Sequence, residues 1–259
     1  MFKKELFIPL WVTLGLGLLL FPWLWDVAHS PDRPASDWFL AGLAAATLIG
    51  FHAYWFGVRP RRRRRMREAL RGCGYADVPG DDRQLASALT ALCPTPFAPT
   101  VRHAMARQDG RSRRYLADGF TMYYRNEPRR DNIVENWTYV LESRPLAGRG
   151  EVFVLSRADR KIGPLREMPD LTEGLSPAFL DLFRACSRDA SCTPVPKALQ
   201  ETLLKPSVPA FLGAFYLKVT PHGWGFCTFP VIDPSWMEKL LRFSDELSQS
   251  MTEFQIAQP

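Results

Sequence analysis

Two uncharged runs near the N-terminus, Leu6–Trp25 and Trp38–Val58, restrict this chain more than anything else in it. They are 20 and 21 residues long, and His52 is their only ionisable side chain. An α-helix rises about 1.5 Å per residue, so about 20 residues cross the roughly 30 Å hydrocarbon core of a bilayer. Backbone polar groups in that core must be satisfied inside the segment, which selects helices. Aromatic residues gather at the ends of the runs, Trp23, Trp25, Trp38 and Phe39 on one side and Tyr54, Trp55 and Phe56 on the other. That is where an interfacial belt belongs. The expectation is a two-helix transmembrane hairpin over residues 1–58.

Orientation follows from basic residues beside short loops, which resist translocation. Lys3 and Lys4 precede the first run, and Arg59, Arg61, Arg62, Arg63, Arg64, Arg65, Arg67 and Arg71 follow the second. The connecting segment Asp26–Asp37 sets Arg33 against three aspartates. Both termini are therefore expected in the cytoplasm, in a multi-pass protein. Ala28-His29-Ser30 has the small-x-small form of a signal-peptide cleavage site, but the first run is too long and too aromatic for that reading. In the second run Gly42, Ala46 and Gly50 line one face at four-residue spacing. Small faces let helices approach closely in lipid, either to close the hairpin or to form a homodimer. Neither run offers His52 an acidic partner, which argues against transport or conduction.

The charge distribution narrows the partners. The formal net charge is +6, yet residues 1–71 hold 11 Lys and Arg against 5 Asp and Glu, while the remainder holds 22 of each. The basicity belongs to the membrane-proximal part. Nucleic-acid binding wants a basic stripe on the folded domain itself. Only Arg102–Arg114 offers one locally, and it reads as a solvated face or loop. Residues 59–80 are expected to be an arginine-rich juxtamembrane linker. Its arginines Arg59, Arg61 to Arg65 and Arg67 suit membrane lipids with anionic headgroups, at about 1 kcal/mol each, and such contacts would hold the segment flat on the bilayer.

Residues 81–259 read as a cytosolic α+β domain with a mostly antiparallel sheet. A short helix starts at Asp81, with Gln84 completing a capping box and Leu85, Ala88, Leu89 and Leu92 as its stripe. Three strands around Phe120–Tyr124, Trp137–Ser143 and Glu151–Ser156 are expected to be consecutive in the sheet. Ser176-Pro177 starts a helix, with Phe179, Leu182, Phe183 and Cys186 at helical spacing. A second helix covers Pro196–Leu204. Two strands, Phe211–Thr220 and Gly223–Ile232, turn at Pro221-His222-Gly223. The last helix begins at Asp233-Pro234-Ser235, with Ser235 and Glu238 as a capping box and Trp236, Leu240, Phe243, Leu247 and Met251 on one face.

This order of elements, carried by Phe179, Asp181 and Phe183, then Leu203-Leu204-Lys205-Pro206, then the Trp236–Leu247 helix, resembles that of uncharacterised bacterial membrane proteins with two N-terminal transmembrane helices and a cytosolic α+β domain. The resemblance covers most of residues 115–250. It implies the bacterial inner membrane and brings no activity with it.

Signatures of chemistry are sparse. Phosphate loops, dinucleotide fingerprints, nucleophile elbows and HExxH are absent. Cys73, Cys93, Cys186, Cys192 and Cys227 are odd in number and contain no CxxC pair, which reads as reduced thiols. The spacing of Cys186 and Cys192 is not that of a zinc site. Only His103 and His222 lie in the domain, and His222 with Cys227 is the one nucleophile and base pair the two strands would bring near each other. No catalytic residue is assigned, and no cofactor or metal is expected. The leading expectation is a membrane-anchored adaptor or assembly subunit with a cytosolic protein-binding domain and a protein partner or homo-oligomer. The alternative is a membrane-anchored enzyme or small-ligand sensor.

Overall fold

The computed structural model describes residues 15, 21–30, 34–79, 81–95, 99–123, 133–146, 149–157, 165, 167–189, 192, 194–205, 215–228 and 234–256. The chain forms two compact units, Met1–Arg67 and Glu68–Pro259.

In the first unit, residues 21–29 are helical (α1). The rest of Leu6–Trp25, apart from Gly15, lies outside the described residues. Helix α2 spans Ala35–His52, with Asp37 in its first turn, where a negative charge suits the positive end of the helix dipole. A π-helical segment, Ala53–Val58, continues it into α3, Arg59–Gly72. Together these make a helix of 38 residues, Ala35–Gly72, that is long and apolar enough to cross a membrane, and it is the one such helix among the described residues. Residues 59–80, expected to be a linker, thus form helix as far as Gly72, and Ala76–Asp77 form a strand of the sheet.

The second unit is an α+β domain around one antiparallel sheet. Its strands are β1 (Ala76–Asp77), β2 (Thr100–Asp109), β3 (Ser112–Tyr123), β4 (Ile133–Ser143), β5 (Val152–Ser156), β6 (Phe183–Cys186), β7 (Tyr216–Thr220) and β8 (Gly223–Thr228). They lie in the order β1-β2-β3-β4-β8-β7-β5-β6, and every neighbouring pair is antiparallel. The three strands expected to be consecutive are not. β3 and β4 are neighbours, but the β7–β8 hairpin stands between β4 and β5. After β4 the chain keeps bonding to that hairpin's turn, Arg144 N–H to His222 O and Leu146 N–H to Pro221 O, before crossing to the far side of β7.

Helix α4 (Arg83–Leu92) covers one face. Asp82, one residue after the expected cap, accepts from the Gln84 and Leu85 amides, and Leu85, Ala88 and Leu92 are buried. Beneath it lie Tyr115, Ala117, Trp137, Tyr139, Leu141, Tyr216 and Cys227. Gly225 is required there: a Cβ at this position would stand 2.3 Å from the Leu92 carbonyl oxygen.

Helix α7 (Pro234–Ile256) covers the other face, with α6 (Lys197–Leu203) beside it. Its Phe243 meets Phe215 and Phe226 edge-on at 5.9 and 5.4 Å, and Phe226 stacks with Trp224 at 6.0 Å. Aromatic pairs in such geometries add about 0.5–1.5 kcal/mol beyond their burial. Two details differ from expectation. Ser235 lies inside α7, so it is not the N-cap, and Met237 rather than Trp236 opens the buried face. Asp233 lies outside the described residues.

Ser176 caps α5 (Pro177–Leu182) as expected, accepting from the Phe179 amide at 3.3 Å with Pro177 in the first turn. The helix stops at Leu182, however, and Phe183 and Cys186 belong to β6. Phe179 and Phe183 still stack, at 5.1 Å, across the helix-to-strand junction. Gln200 of α6 is buried and ties this region together, accepting from the Ser176 amide and donating to the Gly174 and Val195 carbonyls.

Candidate functional site: the arginine helix and the polar seam of the domain

The arginine run and the small-residue stripe are the sequence's two candidate sites. The stripe, Gly42, Ala46 and Gly50, lies on the exposed surface of α2, and a Cβ on either glycine would meet nothing within 4 Å. Arg61, Arg62, Arg64 and Arg65 are exposed on α3, and Arg63 and Arg67 are half-buried. A helix turns about 100° per residue, so five successive arginines point to all sides of the axis. The large apolar residues of α3, Met66 and Leu70, are both buried and form no free face.

Burial separates the two units. In the first, Phe21, Trp25, Trp38, Phe39, Leu40, Leu43, Ile49, Tyr54, Phe56 and Val58 are exposed. In the domain, only Leu182 and Trp236 among the described large apolar side chains are.

A charged seam under α7 was not legible in the sequence. It begins with cross-strand register, in which Arg107 of β2 opposes Arg114 of β3, Arg114 opposes Glu142 of β4, and Glu142 opposes Trp224 of β8. Strand alternation puts these side chains on the α7 face. Like charges directly opposite each other repel, and here acidic groups intervene. Asp245 of α7 accepts from Arg114 Nη1 and lies 3.4 Å from Arg107 Nη2. Glu142, fully buried, accepts from Arg114 Nε at 2.8 Å and from Ser248 Oγ at 2.9 Å, with Arg144 Nη1 at 3.3 Å. Arg144 in turn donates to the Ser248 carbonyl at 2.7 Å. Arg114 also donates to Ser244 Oγ at 3.1 Å, and its guanidinium lies 6.0 Å from the Trp224 ring centre.

The electrostatics follow from this geometry. Burial opposes the charge on Arg114, but Glu142 and Asp245 outweigh it and hold the guanidinium above its ordinary pKa. Arg144, with a share of Glu142 and with Arg114 nearby, is pulled below its ordinary value, chiefly by burial. Arg144 Nε and Trp224 Nε1 are buried with no hydrogen-bond partner among the described residues. Desolvation of charged groups offsets most of what their pairing gains, so such a seam adds little net stability, while loss of one member leaves the others buried and uncompensated.

The remaining candidates are dispersed. The Arg102–Arg114 segment, expected to be a solvated face or loop, is the β2–β3 hairpin. Its arginines divide between the sheet's faces: Arg107 and Arg114 join the seam, and Arg113 turns to Asp82 and Gln84 beside α4. His222 and Cys227 do not meet. Cys227 is buried opposite Tyr139 and Tyr216, whereas His222 is exposed in the hairpin turn, five residues or about 16 Å along the strand. Burial pushes the Cys186 thiol up to about 11 and raises Cys93 as well, which suits inert core thiols. Among the described residues no three His, Cys, Asp or Glu side chains are grouped to hold a metal ion.

No family model matches the chain, and no curated protein does. Among solved structures it is similar to the crystal structure of the mycobacterial trehalose monomycolate transport factor A, TtfA. That likeness is 11% in sequence identity, covers 73% of this chain and 94% of that one, and has a TM-score of 0.40. Nothing about activity is carried over from it.

Proposed function

We propose that the chain is a membrane-anchored adaptor or assembly subunit, which presents its α+β domain to a protein partner or a second copy at the cytoplasmic face of a bacterial inner membrane. The anchor in this reading is a hairpin of two spans, Leu6–Trp25 and Trp38–Val58, with both termini cytoplasmic. The observation that carries it is the contrast in exposed apolar residues. Among the described residues, the first unit leaves ten large apolar side chains uncovered and the domain leaves two. Contiguous apolar surface of that kind is covered by lipid or by protein. The helix that bears most of it runs on to Gly72, with three residues between it and the first strand of the sheet. A domain tethered in this way meets other membrane proteins at high effective concentration.

The test is crosslinking of the full chain in native membranes, with a photoreactive residue at Leu182 or Trp236, followed by purification in mild detergent. The expected result is a discrete adduct with a second protein or a second copy. A chain that sediments with membranes yet gives no adduct and retains no protein would overturn the adaptor reading.

A further inference from the structure

From the arrangement of α3, we propose that Arg61, Arg62, Arg64 and Arg65 form a half-collar that gathers anionic phospholipid headgroups along one side of the membrane helix. This rests on the anchorage proposed above and adds a ligand class to it. Two geometries are open to a basic juxtamembrane helix: it lies on the bilayer by an apolar face, or it leaves the bilayer along the axis of the span. The first needs apolar residues that face lipid. In α3 the candidates, Met66 and Leu70, are already buried in the protein. The second needs an unbroken helix, and Ala35–Gly72 is one.

Position along the axis supports the collar. If the hydrocarbon ends near Val58, Arg61 lies about 4.5 Å beyond it and Arg65 about 10 Å. The headgroup layer is about 5–7 Å deep on each side. Side chains of a helix lean toward its N-terminus, which here is the membrane side. Arginines just above the layer therefore reach down into it while their apolar stems follow the helix. Arg61, Arg62, Arg64 and Arg65 are exposed, and at about 100° per residue they fall within an arc of about 160°, so headgroups are met along one broad side of the helix, opposite the buried Met66 and Leu70. A guanidinium binds a phosphate in a two-pronged fashion, which a lysine ammonium does not.

The probe is the full chain reconstituted in phosphatidylcholine vesicles with spin-labelled phosphatidylglycerol or spin-labelled phosphatidylcholine. The readout is the ratio of their association with the protein. The expected ratio is several-fold above one and falls with added salt. Arg61→Gln, Arg62→Gln, Arg64→Gln and Arg65→Gln together should bring it close to one, whereas Arg83→Gln, Arg111→Gln and Arg242→Gln, which remove exposed charges from the domain, should leave it unchanged. The corresponding Arg→Lys set retains the topology signal and should give an intermediate ratio. A ratio of one in the unaltered chain, or equal loss in the two glutamine sets, overturns the collar while membrane anchorage stands. Inorganic phosphate abolishing the preference at matched ionic strength would identify a free-anion site instead and also overturn it. A chain that does not enter vesicles at all overturns the anchorage and the collar together.

Discussion

Glu142 shows how much can depend on one side chain. It is fully buried between Arg114 and Arg144, and both guanidinium groups lose their inner counter-charge if it is neutralised. Removing one member of a buried pair costs about 3–5 kcal/mol, because the remaining charge stays desolvated. Glu142→Gln is therefore expected to lower the unfolding midpoint sharply, as followed by tryptophan fluorescence of the full chain in detergent. Asp245→Asn is expected to cost about 1 kcal/mol or less, because Asp245 is half exposed and water replaces its contacts. Comparable losses in the two variants would show that the seam is wet. The thiols make a second prediction. Burial raises Cys186 to about 11 and also raises Cys93, from an ordinary value of 9.0. In the unfolded chain these thiols ionise first, so above pH 9 the folded state binds more protons and stability falls as pH rises toward 11. Below pH 9 they have no effect. Thermal unfolding should be flat to about pH 9 and then decline, less steeply in Cys186→Ala.

At the scale of elements, α7 is where amphipathic periodicity and tertiary packing agree best. Leu240, Phe243, Leu247 and Met251 were expected on one face and are all buried. Leu247→Ala should cost about 2–5 kcal/mol, as deletions in a packed core do. Trp236→Ala should change stability by less than about 0.5 kcal/mol, since Trp236 is exposed. Similar midpoints for the two variants in a urea titration would contradict this assignment of faces. β6 teaches the opposite lesson. Phe183 and Cys186 continue the apolar spacing of α5, yet the helix ends before them. A four-residue apolar run has no period of its own. Its state was decided by Arg184, which binds the Leu165 and Met168 carbonyls, and by pairing with β5.

For the whole molecule the prediction is topological. Cys73 is exposed just after α3. In right-side-out membrane vesicles a membrane-impermeant maleimide should leave it unlabelled, and should label a cysteine placed at Ser30, between the two apolar runs. Inverted vesicles should reverse both results. Labelling of both positions from the same side would exclude the hairpin. Legibility at this scale was uneven for a physical reason. The arginine helix could be read residue by residue because its charges lie together along the chain. The seam could not, because Arg114 meets Ser244 and Asp245 130 and 131 residues away, and an arginine destined for burial looks in the sequence like any solvated one.

The sequence alone determined what depends on neighbours along the chain: the apolar run that becomes α2, the arginines that follow it, the Ser176 cap and the stripe of α7. Each reflects local transfer free energy or a hydrogen bond within one turn. Tertiary structure alone decided which strands are neighbours and which of the charges are buried. Those outcomes depend on groups far apart in sequence whose mutual desolvation exists only once the sheet and α7 have closed on each other.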